Sequence, residues 1–231
     1  MIYAIGDLHL PGGQEKPMAV FGPQWEGHFA KICEDWRRRV TAQDTVLIPG
    51  DISWAMQLQD AVPDLQAIAA LPGRKLLIKG NHDYWWSSLS RVQAVMGEGM
   101  TALQHTACEL ESCVACGTRG WTLPTPETPL PAAEEKIYRR ELERLRMALE
   151  AGKRLQHGRP LVVMLHYPPL YDLYRETEMT SLLEAYQVHT CVYGHLHGAG
   201  IRAGFTGEHR GVQYYLTSCD SLDFHLAEIP L

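Results

Sequence analysis

The chain has 231 residues, 45% of them hydrophobic, and a formal net charge of −6. That suits one large domain spanning residues 1–231 and disfavours general nucleic-acid or anionic-membrane binding, both of which need a basic face. No apolar stretch approaches the roughly 20 residues that span a bilayer, and the first residues read as a strand instead of a signal peptide, so a soluble cytoplasmic protein is expected.

Ile2-Tyr3-Ala4-Ile5 is a short apolar run with the pattern of a buried strand, and it leads into Asp7 and His9. In extended backbone, residues two apart point the same way, so both would face one site. A Gly- and Pro-rich stretch over 11–23 reads as a surface loop carrying Lys16. Trp25, Phe29, Ile32, Cys33, Trp36 and Val40 recur at helical spacing, predicting a helix over about residues 24–40. Arg37-Arg38-Arg39 closes it, where positive charge suits the helix dipole.

The next strand, Thr45 to Ile48, ends at Gly50-Asp51, with Trp54 following. Leu76-Leu77-Ile78 leads into Gly80-Asn81-His82-Asp83, then Trp85 and Trp86. Alternation of strands and helices to about residue 104 implies parallel pairing through helical crossovers. Cys108, Cys113 and Cys116 have a spacing similar to iron–sulfur ligation, but Cys113 and Cys116 sit in strand-like sequence. All six cysteines read as buried free thiols.

Four prolines between Leu123 and Pro131 mark an irregular loop. A charged helix follows, with Glu134 and Glu135 in its first turn and Gly152 just past its end. Ile137, Leu142, Leu145 and Leu149 form its narrow apolar stripe, which places it outside a sheet. The run from Leu161 to Leu165 stops at His166, and Cys191-Val192-Tyr193 leads to Gly194-His195-Leu196-His197. Gly211 to Leu216 reads as part of a closing antiparallel hairpin.

Five apolar runs thus end on residues able to hold a metal ion, and five of the eleven histidines fall in those motifs. Ligands gather beyond the carboxyl ends of strands in open α/β sheets. Glycines at Gly6, Gly50, Gly80 and Gly194 would let the chain turn and approach closely there. Carboxylate, imidazole and amide donors without thiolate favour Mn²⁺, Fe or Zn²⁺.

The ordered set Asp7-x-His9, Gly50-Asp51, Gly80-Asn81-His82-Asp83, His166 and Gly194-His195-x-His197 resembles the calcineurin-like metallophosphoesterases. The resemblance implies an α/β, four-layer αββα sandwich of two mixed sheets packed face to face, with helices on both outer faces. It implies two divalent metal ions, Mn²⁺ foremost, one held by Asp7, His9, Asp51 and His197. Asp51 would bridge to the second, held also by Asn81, His166 and His195. A bridging hydroxide would then attack phosphorus in line. His82 would face the substrate and protonate the leaving oxygen, with Asp83 orienting it.

Protein Ser/Thr phosphatases of the superfamily carry an arginine after the second block, where this chain has Ile52-Ser53-Trp54-Ala55. Lacking that clamp, the chain resembles the bacterial phosphodiesterase-type members more closely, and a phosphomonoesterase is the alternative. A non-catalytic interaction module is disfavoured because His82 and the ligand positions are intact. Over Ile48 to Ala55 and Asn81 to Trp86 the chain also resembles a bacterial subgroup of predicted phosphohydrolases without a stated substrate. The expected partner is a small phosphoester; Trp54, Trp85 and Trp86 could stack a nucleotide-like group or simply pack the core. Lys16, and Arg119 beside Trp121, are further candidates for contact with phosphate.

Overall fold

The computed structural model describes residues 1–13, 18–125 and 128–231; Lys16 lies outside them. The N-terminal half alternates strands and helices: β1 (Ile2–Ala4), α1 (His28–Arg39), β2 (Thr45–Ile48), α2 (Leu58–Ala69), β3 (Arg74–Leu77), α3 (Leu89–Val95) and β4 (Met100–Ala102). The rest comprises β5 (Thr106–Glu109), β6 (Val114–Thr118), α4 (Ala132–Gln156), β7 (Leu161–Leu165), α5 (Glu178–Ala185), β8 (Thr190–Tyr193), β9 (Gly207–His209), β10 (Val212–Leu216) and β11 (Ala227–Glu228).

One sheet has the order β11-β1-β2-β3-β4, the other β5-β6-β7-β8-β10-β9. Strands β1 to β4 are parallel, with β11 antiparallel at the edge. In the second sheet β6, β7, β8 and β10 are parallel, and β5 and β9 are antiparallel edges.

Alternate residues of each strand feed different cores. Tyr3, Ile5, Val46 and Ile48 pack outward against Ile32, Trp36, Leu65 and Ile68 of α1 and α2. Ile2, Ala4, Leu47 and Leu76 face the other sheet, where they meet Ala115, Val162, Met164 and Val192. Beyond that sheet Val114, Cys116, Leu161 and Val163 pack against Leu142, Leu145 and Leu149 of α4 and Leu183 of α5. Strands apolar on both faces can only be satisfied in inner layers. Three cores separate four layers, and the αββα sandwich follows.

Two helix boundaries differ from expectation. Gly27, at φ 60°, interrupts the chain between a 3-10 turn at Pro23–Trp25 and α1. Trp25 therefore leaves the helical stripe, and its buried ring points elsewhere. Helix α4 runs through Gly152 to Gln156 and ends at His157, which adopts φ 43°. Gly152 serves close packing: a Cβ there would lie 2.6 Å from Leu161 Cδ1. All six cysteines are free, and five are buried. Arg38 and Arg39 bond Asp35, and Arg39 also donates to the Leu226 carbonyl. No described helix is long and apolar enough to cross a membrane.

Candidate metal centre

The segments that leave β1, β2, β3, β7 and β8 are bound to one another at one rim. Gly6 N–H donates to Thr217 O at 2.7 Å, and Cys219 N–H donates to Gly6 O at 3.1 Å. These bonds join the two sheets just before Asp7. Asp7 N–H then donates to Gly50 O and His9 N–H to Asp51 O, at 2.9 and 3.0 Å.

The backbone there is not extended, contrary to the sequence expectation. Asp7, His9, Asp51 and His195 have φ of 58°, 46°, 50° and 74°. Left-handed backbone at a non-glycine residue costs on the order of 1–3 kcal/mol and persists only where its surroundings enforce it. Convergence of Asp7 with His9, and of His195 with His197, thus comes from tight turns. The expected close approach at glycines is present: a Cβ on Gly194 would collide with the Asp7 carboxylate, and one on Gly80 with that of Asp51.

The side chains gather into two adjoining groups. In one, His9 Nε2 and His197 Nε2 are 3.3 Å apart, and Asp7 Oδ1 lies 3.3 Å from His197 Nε2. In the other, Asn81 Oδ1 lies 2.6 Å from His166 Nε2 and 2.8 Å from His195 Nδ1. Between them stands Asp51, whose Oδ2 is 4.0 Å from His9 Nε2 and 3.5 Å from His166 Nε2. Asp7, His9 and His197, and likewise Asp7, Asp51 and His166, bring ligand atoms within 4.8 Å of one another.

The rings are oriented from behind. His166 Nδ1–H donates to Pro49 O at 3.1 Å, which leaves Nε2 directed at Asn81 and Asp51. His197 Nδ1–H donates to Asp220 Oδ1 at 2.7 Å, leaving Nε2 toward Asp7 and His9. Such outer hydrogen bonds fix the tautomer of a metal-binding histidine. Asp220, held also by the Gly198 N–H at 2.9 Å, was not visible in the sequence, because it belongs to no motif and lies beyond the last block.

The electrostatics call for cations. Asp7, Asp51 and Asp83 are all buried. Burial, then the charges of Asp83 and Asp7, hold the Asp51 carboxyl well above its ordinary value. Burial opposes ionisation of Asp7 too, but the hydrogen bond and charge of His197, with His166 and His9, keep it low. Burial pushes His9 and His195 down to about 3, so both rings offer neutral lone pairs. Burial also disfavours a charged His197, yet Asp220 and Asp7 push it up to about 10; its ring takes a proton where the carboxylates lack another positive partner. Mixed O and N donors crowded within hydrogen-bond distances, with too few protons to share, fit a pair of hard or borderline divalent ions.

A cavity of about 240 Å³ opens beside this cluster, lined by His9, Met18, Phe21, Trp25, Trp54, His82, His197, Gly198 and Asp220. Trp54 stacks on His9 with centroids 4.9 Å apart and lies 4.5 Å from the His82 ring. The His82 amide donates to Asp51 Oδ1 at 2.8 Å. Asp83, expected to orient the His82 ring, accepts from the amides of Ile52, Ser53 and Gly80 and from Trp85 Nε1. It clasps the Asp51 loop to the Asn81 loop. Trp85 and Trp86 are buried in the core and do not line the cavity; Trp25, delivered by the turn before Gly27, does. Arg119 also lies away from it, over the Trp121 ring at 4.5 Å.

The sequence model of the calcineurin-like phosphoesterase family matches residues 1–199. The fold is similar to that of a protein of unknown function from Aquifex aeolicus, with TM-score 0.53 and 16% identity over 98% of this chain and 94% of that one. It is similar also to the phosphopantetheinyl hydrolase of Mycobacterium tuberculosis, with TM-score 0.55 and 16% identity over 92% and 86%. At such identities the likeness is one of fold. No curated protein matches the sequence. The family match covers all five motif blocks and carries the assignment: the chain belongs to the calcineurin-like phosphoesterase family and is a metal-dependent phosphoric ester hydrolase.

Proposed function

We propose that the chain is a dinuclear-metal phosphodiesterase acting on small phosphodiesters. The observation that carries this reading is the position of Asp51 Oδ2, which faces His9 on one side and His166 on the other. Asp7, His9, Asp51 and His197 would hold one ion; Asp51, Asn81, His166 and His195 would hold the other. Mn²⁺ suits a donor set of carboxylate, imidazole and amide oxygen. When bound, the pair would supply Lewis acidity toward phosphoryl oxygens and a water acidic enough to ionise near neutral pH.

The chain's own residues divide the remaining work. His82, which lines the cavity, would give its proton to the departing oxygen, a contribution of about 10²–10⁴-fold. Asp83 acts as a brace, through the four donors it holds. Met18, Phe21, Trp25 and Trp54 form an apolar wall for a flat or apolar ester group. No lysine or arginine is among the described residues of that lining, so those residues offer a monoester dianion no cationic side-chain clamp. A diester, with one charge fewer and a second organic arm, fits better.

Release of 4-nitrophenol from bis(4-nitrophenyl) phosphate and from 4-nitrophenyl phosphate, with Mn²⁺ present, tests this. The bis-ester should be cleaved faster. The opposite preference would establish a monoesterase, and turnover of neither by metal-loaded protein would point to a binding module.

A further inference from the structure

Away from the metal cluster, a second cavity of about 250 Å³ is walled by Lys79, His105, Arg119, Arg140, Glu141 and Arg144. Among the described residues, four cationic side chains thus surround it against a single carboxylate, in a chain whose net charge is −6. Glu141 is fully buried and already engaged: Arg144 donates to it at 2.6 Å, Thr118 Oγ1 at 3.3 Å and Arg119 at 3.5 Å. A structural ion-pair network would balance its charges, because unpaired buried charge is costly.

Here half-buried Lys79 and, at the exposed mouth, Arg140 are in excess. The Lys79 Nζ makes, among the described residues, one long hydrogen bond of 3.4 Å to the Trp86 carbonyl. His105 adds a buried Nδ1 that has no hydrogen-bond partner among the described residues. Concave shape and surplus positive charge share one place.

We propose that this cavity is a binding site for a phosphate-type oxyanion, separate from the metal centre. Guanidinium groups present paired N–H donors that match two phosphoryl oxygens, and Lys79 adds a point charge. The walls share backbone with the metal centre: Lys79 directly precedes Gly80-Asn81. The Arg119 carbonyl accepts the amides of His166 and Tyr167, both at 3.0 Å. An anion held there would therefore bear on the loops that carry Asn81 and His166. The inference stands whichever phosphoester the metal centre cleaves.

Crystals of manganese-loaded protein soaked in sodium tungstate provide the test, since tungsten is located by its anomalous signal. A tungsten peak is expected between Lys79, Arg119, Arg140 and Arg144. It should vanish in a Lys79→Met/Arg140→Leu double variant, which leaves the partners of Glu141 in place, while Lys79→Arg/Arg140→Lys keeps it. In solution, calorimetric titration with inorganic phosphate should show one binding event weakened about tenfold or more in the double variant. Back-soaks identify the source: displacement by inorganic phosphate alone indicates the free ion, and displacement also by phenylphosphonate indicates a phosphoryl group on a larger molecule. Either supports the site. A wild-type pocket without tungsten, or an equal peak in the double variant, would overturn it.

Discussion

At the residue scale, the side chains that meet the substrate and those that aim the ligands should respond differently to truncation. His82→Ala removes a cavity-facing ring but no donor of the metal cluster. It should leave metal content unchanged and slow esters with poor leaving groups by about 10²–10⁴-fold; turnover equal to wild type would exclude His82 from proton transfer. Asp220→Ala acts through His197, whose Nδ1–H loses its acceptor at 2.7 Å. Metal affinity should fall about 10–100-fold, read by competition with a chelating dye, and unchanged affinity would remove Asp220 from the centre. The motif residues were legible because residue type and order coincided. Asp220 was not: an aspartate in a short 3-10 turn after β10, Cys219–Leu222, has no local pattern to distinguish it from any other turn residue.

At the element scale, the strands were legible because they are apolar on both faces, which only an inner layer satisfies. Their ends were less so. The residues after β1, β2 and β8 bend into left-handed backbone at Asp7, Asp51 and His195, a strained choice that periodicity does not encode. Trp25 fell on a helical stripe by spacing, yet Gly27 at φ 60° breaks the chain there and sends the ring to the cavity. Gly152 reads as a helix stop by residue preference, but its real constraint is Leu161 across the layer. Gly152→Val should destabilise the fold by about 1–3 kcal/mol through overpacking, measured by urea unfolding. A neutral effect would show that α4 can retreat from β7.

At the scale of the molecule, the candidate ligands come from both sheets: Asp7, His9, Asp51 and Asn81 follow strands of one, His166, His195 and His197 those of the other. Ions bound there would tie the sheets together and relieve repulsion among Asp7, Asp51 and Asp83. Ligand binding at 100 times its Kd stabilises by about 2.7 kcal/mol, and each kcal/mol shifts Tm by about 2–4 °C for a domain of this length. Chelation should therefore lower Tm by several degrees, and Mn²⁺ should restore it; an unchanged Tm would argue against ions at the sheet junction. The layered architecture was legible through family resemblance and not through periodicity, which marks strands without ordering them. Nothing local announced that β11 returns to pair with β1.

Anomalous diffraction at the manganese edge, from crystals grown with Mn²⁺, bears most directly on the dinuclear centre. Two peaks are expected about 3.5–4 Å apart, one among Asp7, His9 and His197, the other among Asn81, His166 and His195, with Asp51 between; both should weaken in Asp51→Asn. A single peak, or manganese bound elsewhere while these side chains stay unliganded, would contradict it.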